Sequence, residues 1–213
     1  MKRIYDCVIV ANGEFPTSSA VLSVLNQAKM IVACDGAAQT LLTKGYTPHR
    51  IIGDLDSLAP DIKNRFAAIV VHNPDQETND LTKAIGFVKS KGVQSVCIIA
   101  ATGLREDHTL ANISLLTQYQ PMFTDISMMS DYGVFTAIKE TRRFESFKNQ
   151  KISIFSLPPL VPVSTQNLKY SIDKRELNIW WEGSLNESVS DWFEVSSHGE
   201  GNVLVYQVYE KKQ

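Results

Sequence analysis

The sequence predicts an α/β protein: an N-terminal wound, mostly parallel α/β domain followed by a small C-terminal β-sandwich. Three observations carry that expectation. Up to about residue 131, short apolar runs alternate with segments of helical period. Several of those runs are continuously apolar, which suits strands covered on both faces of a parallel sheet. Beyond about residue 140 the runs are short, β-branched or aromatic, separated by turn residues, and no segment has a helical period. The expected domains are 1–135 and 140–213.

The first half reads as six strands: DCVIVAN (6–12), MIVACD (30–35), RIIGD (50–54), AIVVH (68–72), SVCIIAA (95–101) and DISMMSD (125–131). Between them, residues 78–91 place Leu81, Ala84, Ile85 and Val88 on one helical face, and 107–118 carry Leu110, Ile113 and Leu116 in a similar stripe. The second half offers KISIFSL, ELNIWWEG, SDWFEVSS and NVLVYQVYE as strands, with SLPPLVPVS as a proline-rich loop.

Composition narrows the function. Apolar residues make up 44% and the net charge is −2, with no basic excess to bind nucleic acid. No apolar run approaches the roughly 20 residues needed to span a bilayer. The start, MKRIYDCVIVANG, has an apolar stretch too short for a signal peptide and broken by Asp6, so a cytoplasmic protein is expected. Three cysteines in apolar stretches, Cys7, Cys34 and Cys97, read as buried reduced thiols.

In wound sheets, ligands bind beyond the carboxyl ends of the strands. Four acidic motifs fall there: CDGAA with Asp35, GDLDS with Asp54 and Asp56, NPDQETNDLTKA with Asp80, and ATGLREDHTLANI with Arg105, Asp107 and His108. Any one alone reads as a turn former or helix cap. In extended chain, however, Asp54 and Asp56 share a face and can flank one ion. Oxygen ligands without nearby His or Cys suit Mg²⁺, which is commonly shared with substrate phosphates. No P-loop or GxGxxG occurs, but Gly103 opens a strand-to-helix turn whose N–H groups could hold a phosphate, with Arg105 beside it. His108, in a first helical turn, reads as structural.

The ordered set CDGAA, GDLDS, DQETNDLTKA and ATGLREDHTLANI, from Cys34 to Asn112, resembles the thiamine pyrophosphokinase family. The resemblance implies transfer of a diphosphoryl group from ATP to the thiamine hydroxyl, giving thiamine diphosphate and AMP. It implies Asp54, Asp56 and Asp80 as Mg²⁺ ligands, and Asp35, Gln76, Thr102, Gly103 and Arg105 around ATP. Asp107 falls in the Gly-x-Arg-x-Asp segment facing the substrates and is a candidate base. Asn186 matches the family's thiamine pocket, with Ser184 beside it as a stand-in for the missing Ser, and Trp192, Trp180 and Trp181 are candidates for an aromatic face on thiamine's cationic ring. A homodimer with sites at the subunit interface is implied as well. Two departures stand out: Glu77 and Asn79 replace Asp and Thr of the family pattern, and Leu185 replaces a Ser. Leu185 keeps open a related diphosphokinase acting on a pterin-type alcohol; a non-catalytic nucleotide or thiamine sensor is the rival from another class.

Overall fold

The computed structural model describes residues 4–209. The chain divides into two compact units: one runs to Leu115 and takes in Pro121–Asp131, and the other takes Leu116–Gln120 and the chain from Tyr132 onward. In the first, strands β1 (Cys7–Val10), β2 (Met30–Cys34), β3 (Arg50–Gly53), β4 (Val70–His72), β5 (Ser95–Ile99) and β6 (Asp125–Met129) lie in the order β6-β5-β1-β2-β3-β4. Every pairing is parallel, and Cys7 on β1 sits between Met30 and Val96. β1, which is buried throughout, and β5, half-buried only at its first residue, show why these runs are continuously apolar: neither face meets water.

Helices α1 (Ser19–Gln27), α2 (Ala37–Thr43), α3 (Pro60–Arg65), α4 (Asp80–Ser90) and α5 (Glu106–Tyr119) connect the strands. Asn79 starts α4, its side chain accepting a hydrogen bond from the Thr82 N–H at 2.9 Å. Asn79, which stands where the resembled pattern has Thr, thus serves as a helix cap in this chain. The predicted stripe Leu81, Ala84, Ile85 and Val88 is buried against β1, β2 and β3. Burying each of the larger side chains is worth about 1.5–3 kcal/mol. On α5 the stripe fails at one end: Leu116 is buried but Leu110 is exposed. Steps of three residues fall about 60° short of a full turn, so that row winds off the core face.

In the second unit, β7 (Gly133–Ile138), β9 (Lys151–Leu157), β11 (Asn186–Glu187) and β13 (Asn202–Val208) pair antiparallel in the order β11-β9-β13-β7. A separate sheet has the order β10-β12-β8, from β8 (Arg142–Glu145), β10 (Val163–Gln166) and β12 (Trp192–Ser197). β9 alternates, with Ile152 and Ile154 buried and their neighbours partly wet. These join Phe144, Val163, Phe193, Val195, Val203 and Val205 in one apolar core, in which Phe144 stacks on Phe193 at 4.9 Å.

ELNIWWEG is not the strand its composition predicts. Glu182 accepts hydrogen bonds from the N–H groups of Asn178 (2.7 Å) and Ile179 (3.3 Å), closing a 3₁₀ turn over Trp180–Gly183. Gly183 seats that turn on β9, where any Cβ would fall 2.2 Å from the Ile154 carbonyl oxygen. The three cysteines are buried free thiols, and burial raises Cys7 to about 12 and Cys34 still further. Among the described residues no helix is long and apolar enough to cross a membrane.

Candidate active site

The parallel strands progress outward from β1 through β2 and β3 to β4, and the chain then returns to place β5 on the other side of β1. That reversal is the topological switch point at which such sheets bind ligands. A cleft of about 380 Å³ opens there. Its walls include Asn12 and Gly13 after β1, Asp35 after β2, Ser57 after β3, Asp80 at the head of α4, and Thr102 with Arg105 after β5. Gly13 N–H donates to the Ala100 carbonyl at 2.6 Å, holding the two floor loops together. A Cβ at Gly13 would stand 2.5 Å from that oxygen, so only glycine permits this approach.

Asp35, Asp54 and Asp56 each present an oxygen within 4.8 Å of the other two. Asp54 and Asp56 do share a face, but not through extended chain. Leu55 between them is buried at φ 70°, and the left-handed residue turns both carboxylates the same way. Asp35 also has a positive φ, 34°, beside the cleft. Asp35 is 2% exposed; its Oδ2 accepts from the Ser57 N–H at 3.1 Å, while its buried Oδ1 has no hydrogen-bond partner among the described residues. Burial raises this carboxyl to about 6, against the pull of the Ser57 N–H, and the charges of Asp80, Asp56 and Asp54 add to the rise. A buried oxygen without a donor, facing two further carboxylates, is the environment a hard cation satisfies. The donor set therefore fits a divalent metal.

Asp54 is held in several directions: its Oδ1 accepts from the Asp56 N–H at 3.3 Å and its Oδ2 from Gln76 Nε2 at 3.2 Å. Its carboxyl is lowered, first by the Asp56 N–H. Lys83 Nζ lies 3.5 Å from Asp54 Oδ2 and 3.1 Å from Asp80 Oδ1. Asp80 is thus paired with Lys83 at the edge of the cluster formed by the other three.

The loop after β5 places Thr102 in the cleft wall and bends at Gly103, where φ is 93°. Arg105 binds Asp107 through two nitrogens, at 3.1 and 2.6 Å, with both side chains largely exposed. That bond and the His108 N–H lower the Asp107 carboxyl to about 2, leaving a weak base at neutral pH. His108 lines the cleft wall.

The acceptor-side candidates do not share one sheet. Asn186 lies on β11 and Trp192 on β12, in different sheets. Asn186 is buried and spends its amide on backbone: Oδ1 accepts from Tyr170 and Glu187 N–H, and Nδ2 donates to the Tyr170 carbonyl. Ser184 Oγ donates to the Trp181 carbonyl at 2.8 Å. One face of Trp192 carries the Arg143 guanidinium 3.8 Å from its ring centroid. Trp181 is 70% exposed, Trp180 meets Phe155 edge-on, and Leu185 stands exposed at φ 57°.

Sequence reasoning passed over Asn12, Gly13, Ser57 and Lys83. The Asn-Gly pair one residue beyond β1 was the available signal for the first two. Lys83 lies three residues after Asp80 and could have been reached by helical spacing.

The family profile for the thiamin pyrophosphokinase catalytic domain matches residues 21–129, and that for the thiamin pyrophosphokinase substrate-binding domain matches 133–206. A Caenorhabditis elegans thiamin pyrophosphokinase 1 is 31% identical over 138 residues, 60% of this chain; the match spans only 56% of that protein's length. The solved structure of a Bacillus subtilis thiamine pyrophosphokinase superposes with a TM-score of 0.77 at 20% identity, covering 98% of this chain and 100% of that one. The corresponding Candida albicans structure gives 0.79 at 15% identity, covering 96% and 90%. At those identities the superpositions speak for the fold alone. On the match of both profiles along most of its length, the chain belongs to the thiamin pyrophosphokinase family.

Proposed function

We propose that the chain transfers the diphosphoryl group of ATP to the hydroxyl of thiamine, releasing AMP. The observation that carries this reading is the convergence of Asp35, Asp54 and Asp56 at the switch point, with one buried carboxylate oxygen left without a donor. Asp54, Asp56 and Asp80 are the proposed ligands of Mg²⁺, and Asp35 joins them on geometry. When bound, such an ion neutralises phosphate charge and stabilises charge developing in transfer. Gln76 orients Asp54, Thr102 and the Gly103 turn offer donors to phosphate, and Arg105 exchanges its bond to Asp107 for a phosphate oxygen. Asp107 then serves to aim Arg105, and the thiamine hydroxyl loses its proton to another acceptor. The proposed domains are an ATP- and metal-binding part over 1–135 and a thiamine-binding part over 140–213, acting as a cytoplasmic homodimer.

The test is a single assay: purified protein with ATP, Mg²⁺ and either thiamine or a pterin-type alcohol, following AMP. AMP with equimolar thiamine diphosphate is expected. AMP only with the pterin would move the acceptor; none with either would leave a sensor.

A further inference from the structure

Lys83 is 6% exposed as a residue and 2% along its side chain, with two carboxylates within ion-pair distance of its Nζ. Two physical terms oppose that placement. Burial disfavours an ammonium, and a cation in the opening turns of a helix faces the positive end of the helix dipole. Lys83 is the fourth residue of α4, and its ammonium reaches Asp80, the first residue, and Asp54 beyond β3. Packing alone does not account for it. A buried ion pair is often no more stabilising than an apolar side chain of similar volume, and the rest of this helix face is Leu81, Ala84, Ile85 and Val88.

The Lys83 side chain is closed off from solvent, and its Nζ meets Asp54 Oδ2 at 3.5 Å and Asp80 Oδ1 at 3.1 Å. Its ammonium is therefore placed to act on the two carboxylates rather than on a substrate. It ties the loop after β3 to the start of α4. With Gln76 on the same Oδ2 atom and the Asp56 N–H on Oδ1, it fixes the plane of the Asp54 carboxylate.

We infer that Lys83 is a positioning residue that holds Asp54 and Asp80 in the geometry required to bind a divalent cation. The inference rests on the metal-site reading above. It has a counterintuitive sign. If only charge mattered, removing a cation from an acidic cluster would tighten metal binding. If positioning dominates, removal loosens it, as loss of partners around a metal site does, by about 10–100-fold.

The experiment is a Mn²⁺ titration followed by electron paramagnetic resonance, on wild type and Lys83→Met, with and without a non-hydrolysable ATP analogue. Thermal melting of the metal-free proteins accompanies it. The expected result is a Lys83→Met protein that melts no lower than wild type but binds Mn²⁺ about 10–100-fold more weakly. Lys83→Gln, which keeps a donor but not the charge, carries the same comparison if the Met variant does not fold. Unchanged or tighter Mn²⁺ binding by a folded variant overturns the inference while leaving the metal site standing. A wild type that binds no Mn²⁺ in either condition overturns the metal-site reading itself, and this inference with it.

Discussion

Asp131 and Thr17, 114 residues apart in sequence, are joined by three hydrogen bonds. The Thr17 N–H donates to both carboxylate oxygens, at 3.0 and 2.9 Å, and its hydroxyl to Oδ2 at 2.6 Å. The Ser18 N–H adds a fourth at 2.9 Å, while the Ser18 hydroxyl caps α1. Asp131, two residues beyond β6, thereby pins the far end of the loop whose near end, Asn12 and Gly13, lines the cleft.

Asp131→Asn should cost about 1.5–3 kcal/mol at pH 7, the usual worth of hydrogen bonds to a charged group. Burial raises the Asp131 carboxyl, but its bonds to Thr17 and Ser18 outweigh that and leave it lowered. A depressed carboxyl stabilises the fold above the unfolded value near 4, and that stability is lost as pH falls through the folded value. The gap between variant and wild type in urea melts should therefore be full at pH 7 and close below about pH 4. A gap independent of pH would refute the assigned role.

The parts of the fold visible in sequence were those under one dominant constraint. β1 and β5 are continuously apolar because they are buried on both faces, and α4 shows its stripe because one face meets the sheet. The acidic motifs were visible because strand ends in wound sheets are where chemistry gathers. What stayed hidden depends on distant partners. Nothing local announces that Asp131 will hold Thr17, or that Lys83 will turn inward when lysines on amphipathic helices usually face water. Likewise Trp180 and Trp181 follow a strand-like run, and the 3₁₀ turn appears only once Glu182 folds back on Asn178. The recruitment of Asp35 beside Asp54 and Asp56 follows from β2 and β3 being neighbours, which is a fact of topology.

Asp35 gives a prediction of the opposite sign from Asp131. Its carboxyl is raised, chiefly by burial, to about 6. A raised carboxyl adds stability while protonated, and that contribution disappears as pH rises from about 4 through 6. In metal-free protein, Asp35→Asn should match wild type below about pH 4 and melt higher above pH 6, because the ionised, partly unpartnered carboxylate has been removed. Mg²⁺ should stabilise the wild type at pH 7.5 and do so far less for the variant. Turnover should fall by a hundredfold or so, the scale of losing one preorganised electrostatic contact. An Asp35→Asn protein with near-normal activity and an unaltered response to Mg²⁺ would remove Asp35 from the site.

The tryptophans separate by what already covers them. Trp192 has the Arg143 guanidinium on one face, so its quadrupole is engaged by a cation within the chain. Trp181 is 70% exposed on the turn beside the exposed Leu185. Thiamine's thiazolium is a permanent cation, and a desolvated cation–π contact is worth about 2 kcal/mol, or roughly thirtyfold in affinity. Trp181→Ala should accordingly raise KM for thiamine by about ten- to thirtyfold, leaving KM for ATP unchanged and the melting temperature near that of wild type. Trp192→Ala should do the reverse, lowering the melting temperature by loosening β12 against β8 while changing KM for thiamine little. Steady-state kinetics with each substrate varied in turn, together with thermal melts, distinguish the two. If Trp192→Ala alone raises the thiamine KM, Arg143 must yield its place to the substrate, and the aromatic contact belongs to β12 rather than to the turn.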